Sequence, residues 1–132
     1  MDAMSSHLEQ LVSAHLQADR SARSRIRRLV AWIAEDPARA RSVEELADRA
    51  AMSPRTLTRL FILETGCPPA RFVRHARVEL ARRLLERAGA RVGWVAKCAG
   101  FESAERMRRA FQGALGTSPR GYASVGSGTM RR

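Results

Sequence analysis

The residue types that most often carry catalysis are few and scattered in this chain of 132 residues. The three histidines are His7, His15 and His75, and no cysteine or carboxylate cluster stands near them in a spacing that completes a metal site. Cys67 and Cys98 lack the CxxC spacing of redox and zinc sites. No glycine-rich phosphate loop or nucleophile motif is present. The sequence therefore predicts a protein that is not an enzyme and that holds no metal or cofactor.

Cationic side chains are the chemistry that this chain has in quantity. Lys and Arg number 24 against 13 Asp and Glu, which gives a formal net charge of +11, and Lys97 is the only lysine. Such a balance predicts a polyanionic partner, either nucleic acid or an anionic membrane surface. No apolar stretch approaches the ~20 residues that span a bilayer, and the chain does not start with a secretory signal pattern. We expect a soluble, cytoplasmic protein with no membrane partner.

The residue pattern is helical almost throughout, with Ser or Pro at helix starts and Gly at stops. The spacing predicts helices at about 7–18, 22–35, 43–50, 54–65, 69–88, 92–98 and 103–115, and a last short helix that contains Tyr122. Ser6 and Glu9, and again Ser42 and Glu45, have capping-box spacing. Leu63 and Cys98 are expected in or near the core. The polar, Gly/Ser-rich residues 125–132 are expected to form a flexible tail.

Two segments of the chain resemble each other. Residues 43–61 match residues 92–111 at an offset of 49 residues. The offset becomes 50 after the turn between the two helices of each copy. Each copy has a small residue (Ala47 or Ala96) where two helices would cross, then a tight turn and an apolar plug (Met52 or Phe101). A second helix with polar residues on its exposed face follows in each copy. This duplication predicts two helix-turn-helix units.

The helix predicted at 69–88 lies between the two units. Its 20 residues would measure about 30 Å at ~1.5 Å per residue, and successive major grooves on one face of B-DNA lie ~34 Å apart. One monomer would then place two recognition helices in adjacent grooves.

Residues from about 25 to 124 resemble the DNA-binding domain of AraC/XylS-type transcriptional regulators. The resemblance rests on MSPRTLTRLF, on ARRLL at 81–85, on GFESAERMRRAF and on LGTSPRGY. It implies an all-α fold of about seven helices: an AraC-type domain at 22–124, with helix-turn-helix units at 43–65 and 92–115 joined by a central helix at 69–88. Residues 1–21 would add an N-terminal helix. Within the family, the chain is similar to regulators whose DNA-binding half follows an amidase-like sensor domain. These residues do not include that sensor domain, so the chain resembles either the excised DNA-binding half of such a protein or a short, single-domain member.

The resemblance also implies base-reading positions on the two recognition helices. They are Arg55, Thr56, Thr58 and Arg59 in the first unit, and Ala104, Glu105, Arg108 and Arg109 in the second. Arg bonds guanine bidentately, Glu accepts from cytosine, and Thr contacts bases or phosphates. The alternative for each arginine is a phosphate contact or a solvated face, and for Glu105 a salt bridge to Arg108 or Arg109. Phosphate contacts are expected at Ser42, Ser53, Ser103 and Arg106, where helix N-termini offer free N–H groups.

Some residues depart from the family pattern. Ile62 and Leu63 stand where Lys or Arg is common, and Trp94 stands where a polar residue is usual. Ile62 and Trp94 either pack against arginine stems or form a contact surface for another protein. The stripe that includes Leu8 and Leu11 either packs on its own domain or supports dimerisation or docking to a partner.

These observations predict a sequence-specific regulator of transcription that binds double-stranded DNA. By resemblance it would more often activate than repress, with RNA polymerase as a possible partner. It would be a monomer or a weak dimer through the N-terminal helix. The alternative is a protein-interaction module or co-regulator whose DNA binding is weak and non-specific.

Overall fold

The computed structural model describes residues 2–123, and the predicted flexible tail at 125–132 lies outside them. Within the described residues the chain is helical and contains no strand. The helices are α1 (Asp2–Glu35), α2 (Val43–Arg49), α3 (Pro54–Thr65), α4 (Pro69–Leu85), α5 (Val92–Ala99), α6 (Ala104–Leu115) and α7 (residues 119–123), and a 3-10 turn (Pro37–Arg39) follows α1. The predicted all-α fold with two helix-turn-helix units is confirmed.

Helix α1 corrects the prediction of two separate N-terminal helices. It runs unbroken for 34 residues, because residues 19–22 contain neither Gly nor Pro to end it. Ser6 therefore lies inside the helix and does not cap it. Residues 22–35 pack on the first unit through Ile26, Leu29 and Ile33, whereas every residue from 4 to 21 is exposed.

Helix α4 contributes to both hydrophobic cores. Val73 lies in the first core with α1, α2 and α3, and Val78, Ala81, Leu84 and Leu85 lie in the second with α5 and α6. The helix ends at Leu85 rather than at the predicted residue 88, so its 17 residues measure about 26 Å. This shared helix joins the two units.

The two units repeat each other in detail. The amides of Met52 and Phe101 donate to the carbonyls of Ala47 and Ala96, each at 2.9 Å, and close equivalent turns. Both α3 and α6 have 12 residues. Each ends at a glycine in the left-handed region, with φ of 85° at Gly66 and 72° at Gly116. The duplication read from the sequence is thus a duplication of structure.

The turn inside each unit needs a left-handed residue, and the two units supply it differently. Ala51 holds φ at 55° in the first unit, where the Arg25 guanidinium donates to the carbonyls of Ala50 (3.0 Å) and Ala51 (2.9 Å). Gly100 holds φ at 91° in the second. A Cβ on Gly100 would lie 2.5 Å from the Cα of Ala38 in the 3-10 turn. Gly100 therefore provides both the turn and the close approach of the second unit to the 3-10 turn.

Two predictions about burial are wrong. Leu63 is 74% exposed, because the buried stripe of α3 is set by Leu57 and Phe61 and Leu63 falls outside it. Cys98 is exposed on α5, since the buried face of that helix is formed by Val95, Ala96 and Ala99.

Gly100→Ala should destabilise the domain more than Gly116→Ala does. Both changes place a Cβ in the left-handed region at about 1–2 kcal/mol, but open space surrounds Gly116 whereas Gly100 meets the Ala38 backbone. Urea unfolding of both variants measures the difference. Equal losses would mean that the 3-10 turn moves aside without cost.

Candidate nucleic-acid interface

Helix α3 presents two arginines on its outer face. Ser53 caps the helix by accepting from the Thr56 amide at 3.1 Å, and Leu57 and Phe61 anchor its inner face. Arg55 and Arg59 are exposed, and neither forms an ion pair with a residue in the described part of the chain. Both guanidiniums are therefore available to an external anion or base.

The two threonines of the predicted first reader are less available. Thr56 and Thr58 are half-buried. The Thr56 hydroxyl accepts a hydrogen bond from the Ser53 hydroxyl at 2.9 Å, so part of its bonding capacity serves the helix cap.

Helix α6 repeats this construction in the second unit. Ser103 accepts from the Arg106 amide at 3.1 Å, and Met107 and Phe111 are fully buried. The predicted second reader is exposed as a group, and it consists of Ala104, Glu105, Arg108 and Arg109. The structure thus places the whole second set on the outer face of α6, whereas in the first set only Arg55 and Arg59 are fully exposed on α3.

Glu105 holds both arginines of the second reader. Its carboxylate accepts from Arg108 at 2.7 and 2.9 Å and from Arg109 at 3.3 Å. The hydrogen bonds from Arg108, and then those from Arg109, lower the pKa of Glu105 to about 2. The salt-bridge alternative for Glu105 is the one that this structure contains.

The predicted phosphate-contacting residues occupy helix starts. Ser42 caps α2 by accepting from the Glu45 amide at 3.1 Å, so the three serine hydroxyls are all engaged by their own helices. Arg106 is exposed and pairs with Glu102 at 3.2 Å. Ser42 and Ser103 act as acceptors in these caps and keep their O–H groups as donors for an anion, whereas the Ser53 hydroxyl already donates to Thr56. The N–H groups of a first turn that do not bond a cap are also available to an anion.

Several arginines have structural partners that the sequence pattern did not indicate. Arg77 donates to the carbonyls of Pro37 at 3.2 Å and of Ala40. Arg82 pairs with Glu79 of the same helix and with Glu86 just after its end, and it donates to the Tyr122 hydroxyl at 3.2 Å. The bonds to Pro37 and Tyr122 join chain segments 40 residues apart, which spacing alone cannot bring together.

The candidate protein-contact residues are all exposed. Ile62 and Trp94 are 41% and 45% exposed, and Leu8 and Leu11 are 58% and 54% exposed. Packing of the N-terminal stripe on its own domain is therefore ruled out for residues 4–21, where every residue is exposed.

Residues 2–123 contain neither a metal-binding cluster nor a membrane-spanning helix. No three His, Cys, Asp or Glu side chains of the described residues form a group that could hold a metal. No helix in the same range is long and apolar enough to cross a membrane.

Two helix-turn-helix units on one shared helix define the class of this protein as a double helix-turn-helix domain. The helix-turn-helix domain family matches residues 46–124. An HTH-type transcriptional regulator of Mycobacterium tuberculosis is 48% identical over 83 residues, which are 63% of this chain and 32% of the relative. The HTH-type transcriptional activator RhaS of Escherichia fergusonii is 35% identical over 105 residues, 80% of this chain and 38% of the relative.

A solved structure has the same fold. The DNA-binding domain of AdpA, a global transcriptional factor in complex with a target DNA, is 36% identical with a TM-score of 0.77 over 81% of this chain and 96% of that one. The chain therefore belongs to the AraC-type family of helix-turn-helix domains. This family and fold are those of DNA-binding transcription regulators rather than of enzymes. The chain spans about a third of the length of the curated relatives it matches.

Glu105→Gln should strengthen binding to a duplex of unrelated sequence and steepen its salt dependence by a slope of about 1–2. The change releases Arg108 and Arg109, and each phosphate contact adds about 0.9 to the slope. Fluorescence anisotropy across a salt series measures the effect, with Glu9→Gln as a control of equal charge on the exposed part of α1.

The ion pairs of Glu105 should also resist acid. Because its pKa falls from an ordinary 4.5 to about 2, the pairs persist at neutral pH and are lost only as the pH falls through about 2. Wild type and Glu105→Gln should therefore differ by the same factor in affinity at pH 5 and pH 8. A difference that vanished at pH 5 would contradict this role of Glu105.

Proposed function

We propose that this protein regulates transcription by reading two adjacent major grooves of double-stranded DNA with α3 and α6. The observation that carries the proposal is the matched pair of 12-residue helices, capped alike and fixed to one shared helix. Arg55 and Arg59 would read the first groove with Thr56 and Thr58, and the second set would be Ala104, Glu105, Arg108 and Arg109. Arginines would supply the salt-dependent part of the affinity, and base contacts would determine which DNA sequence is preferred.

The AdpA domain supports the proposal because that protein was solved on a target DNA and shares 36% identity with this chain. The relationship to RhaS, named a transcriptional activator, supports activation of promoters, with RNA polymerase as the partner. Such a regulator would act in the cytoplasm, on chromosomal DNA.

Selection of bound sequences from a random duplex pool tests this function. The expected result is one enriched site with two short blocks about one helical turn apart. Binding without enrichment, which collapses as salt rises, would instead identify non-specific electrostatic attraction.

Arg59→Ala and Arg109→Ala should each weaken binding at a different block of the selected site. A bidentate contact to guanine discriminates by about 1–3 kcal/mol, so each variant should lose affinity for its own block and tolerate base changes there. Competition assays with single-block mutants of the duplex measure this, with Arg20→Ala on the exposed part of α1 as a control. Uniform loss on all duplexes would make both arginines phosphate contacts.

We further propose that the exposed half of α1 pairs with a second copy of the chain. Met4, Leu8, Leu11, Val12 and Leu16 form an apolar stripe, each side chain at least 50% exposed. Residues 4–19 carry Glu9 and Asp19 but no Lys or Arg, a charge that disfavours DNA and anionic lipid as occupants. Five such side chains offer on the order of 500 Å², below the about 800 Å² per partner of a stable interface. The pair should therefore be weak in solution and cooperative on DNA with two sites.

Leu8→Glu with Leu11→Glu should abolish self-association and leave the affinity for one site intact. Sedimentation at rising protein concentration and binding to tandem sites measure the two properties. Gln10→Glu with Gln17→Glu places the same charges on exposed positions away from the stripe and serves as the control. Identical monomeric sedimentation and non-cooperative binding for wild type and both variants would overturn the pairing.

A further inference from the structure

A cleft of about 450 Å³ opens between α4 and α6, beside the second reader. This volume falls within the ~300–1,000 Å³ of small-ligand sites. Its apolar floor includes Val73 and Phe101. Its charged lining, which we call the arginine cleft, consists of Arg74, Arg77, Arg106, Arg109 and Glu102.

The single carboxylate of the arginine cleft is the residue that breaks the repeat. The two units align at an offset of 49 up to Phe101 and at 50 from Ser103 onward, so Glu102 is the extra residue of the second turn. It pairs with Arg106 at 3.2 Å, and both side chains are largely exposed, at 76% and 67%. An ion pair this exposed is worth at most about 1 kcal/mol, so another anion displaces it readily.

Positive charge remains in excess after this pairing. Arg106 pairs with Glu102 and Arg109 pairs with Glu105, but Arg74 has no acidic partner among the described residues, and the described bonds of Arg77 go to backbone carbonyls of residues 37 and 40 rather than to an acid. Burial lowers the pKa of Arg77, while the charge of Glu102 opposes that shift. The Arg77 guanidinium in the wall of the cleft is therefore a partly desolvated cation. Desolvation strengthens its electrostatic attraction for an anion.

We propose that the arginine cleft binds a phosphate group and that Glu102 occupies the place of that phosphate until it arrives. Guanidinium matches the geometry of phosphate oxygens in paired hydrogen bonds. The source that we name is the DNA backbone between the two blocks of the site, since Arg109 belongs to both the cleft and the second reader. This choice of source rests on the function proposed above, whereas a free phosphate ester would share the same chemistry.

Three variants that each change the net charge by one unit test the arginine cleft on the selected duplex. Arg74→Gln should lower the salt slope by about 0.9 and weaken specific and unrelated duplexes by the same factor. Glu102→Gln should raise affinity for both duplexes several-fold. Arg83→Gln, an exposed position of α4 outside the cleft, should leave the slope within error of wild type. The proposal is overturned if Arg74→Gln and Glu102→Gln behave as Arg83→Gln does.

Titration with adenosine monophosphate, followed by backbone amide NMR shifts, distinguishes the two phosphate sources. Shifts around residues 74, 102 and 106 that Arg74→Gln removes, together with an unchanged DNA slope, would assign the cleft to a free phosphate ester. A change in the DNA slope without such shifts would assign it to the backbone. If the pool yields no enriched sequence, the proposed function fails, and the same titration still tests the arginine cleft. An absence of both effects would overturn it.

Discussion

The sharing of α4 between two hydrophobic cores is the constraint on which the rest of this structure depends. Val73 packs in one core, and Val78 and Leu84 pack in the other, so rotation of α4 about its axis would disturb both. The 3-10 turn adds a second connection, because Arg77 bonds its carbonyls and Gly100 lies against Ala38. The relative positions of α3 and α6 are thus fixed by packing rather than left to a linker.

The two units are alike in backbone and unlike in electrostatics. Turns, serine caps and glycine ends correspond closely, as do the edge-to-face contacts of Phe61 with Phe72 (5.3 Å) and of Phe111 with Tyr122 (5.6 Å). Yet the arginines of α3 have no acidic partner among the described residues, whereas Arg108 and Arg109 of α6 are held by Glu105. A held guanidinium has less rotamer freedom to lose on binding but must exchange one partner for another. The first unit therefore presents unpaired cationic side chains, whereas the second holds two of its guanidiniums in fixed positions.

The sequence predicted the features that arise from local chemistry. The serine caps of α2, α3 and α6, the glycines Gly66 and Gly116, and the small residues Ala47 and Ala96 are each set within a few residues of chain, and the structure has them. The exposure of Leu63 and the exposure of Cys98 depend on which face of a helix a neighbouring helix covers. The arginine cleft and the bonds of Arg77 required segments distant in the chain, and no spacing rule could bring those segments together.

The continuity of α1 has a consequence for how its exposed half stays helical. A free helix must overcome a costly nucleation step, and short ones are marginal in water. Here the packed residues 22–35 act as a permanent nucleus, so residues 4–21 need only propagate a helix that already exists. Helicity should therefore decline smoothly toward the N-terminus, with amide exchange fastest at its first turns and slowing toward Ile26. The exposed half of α1 therefore stays helical because residues 22–35 of the same helix are packed, and not because residues 4–21 contact the rest of the domain.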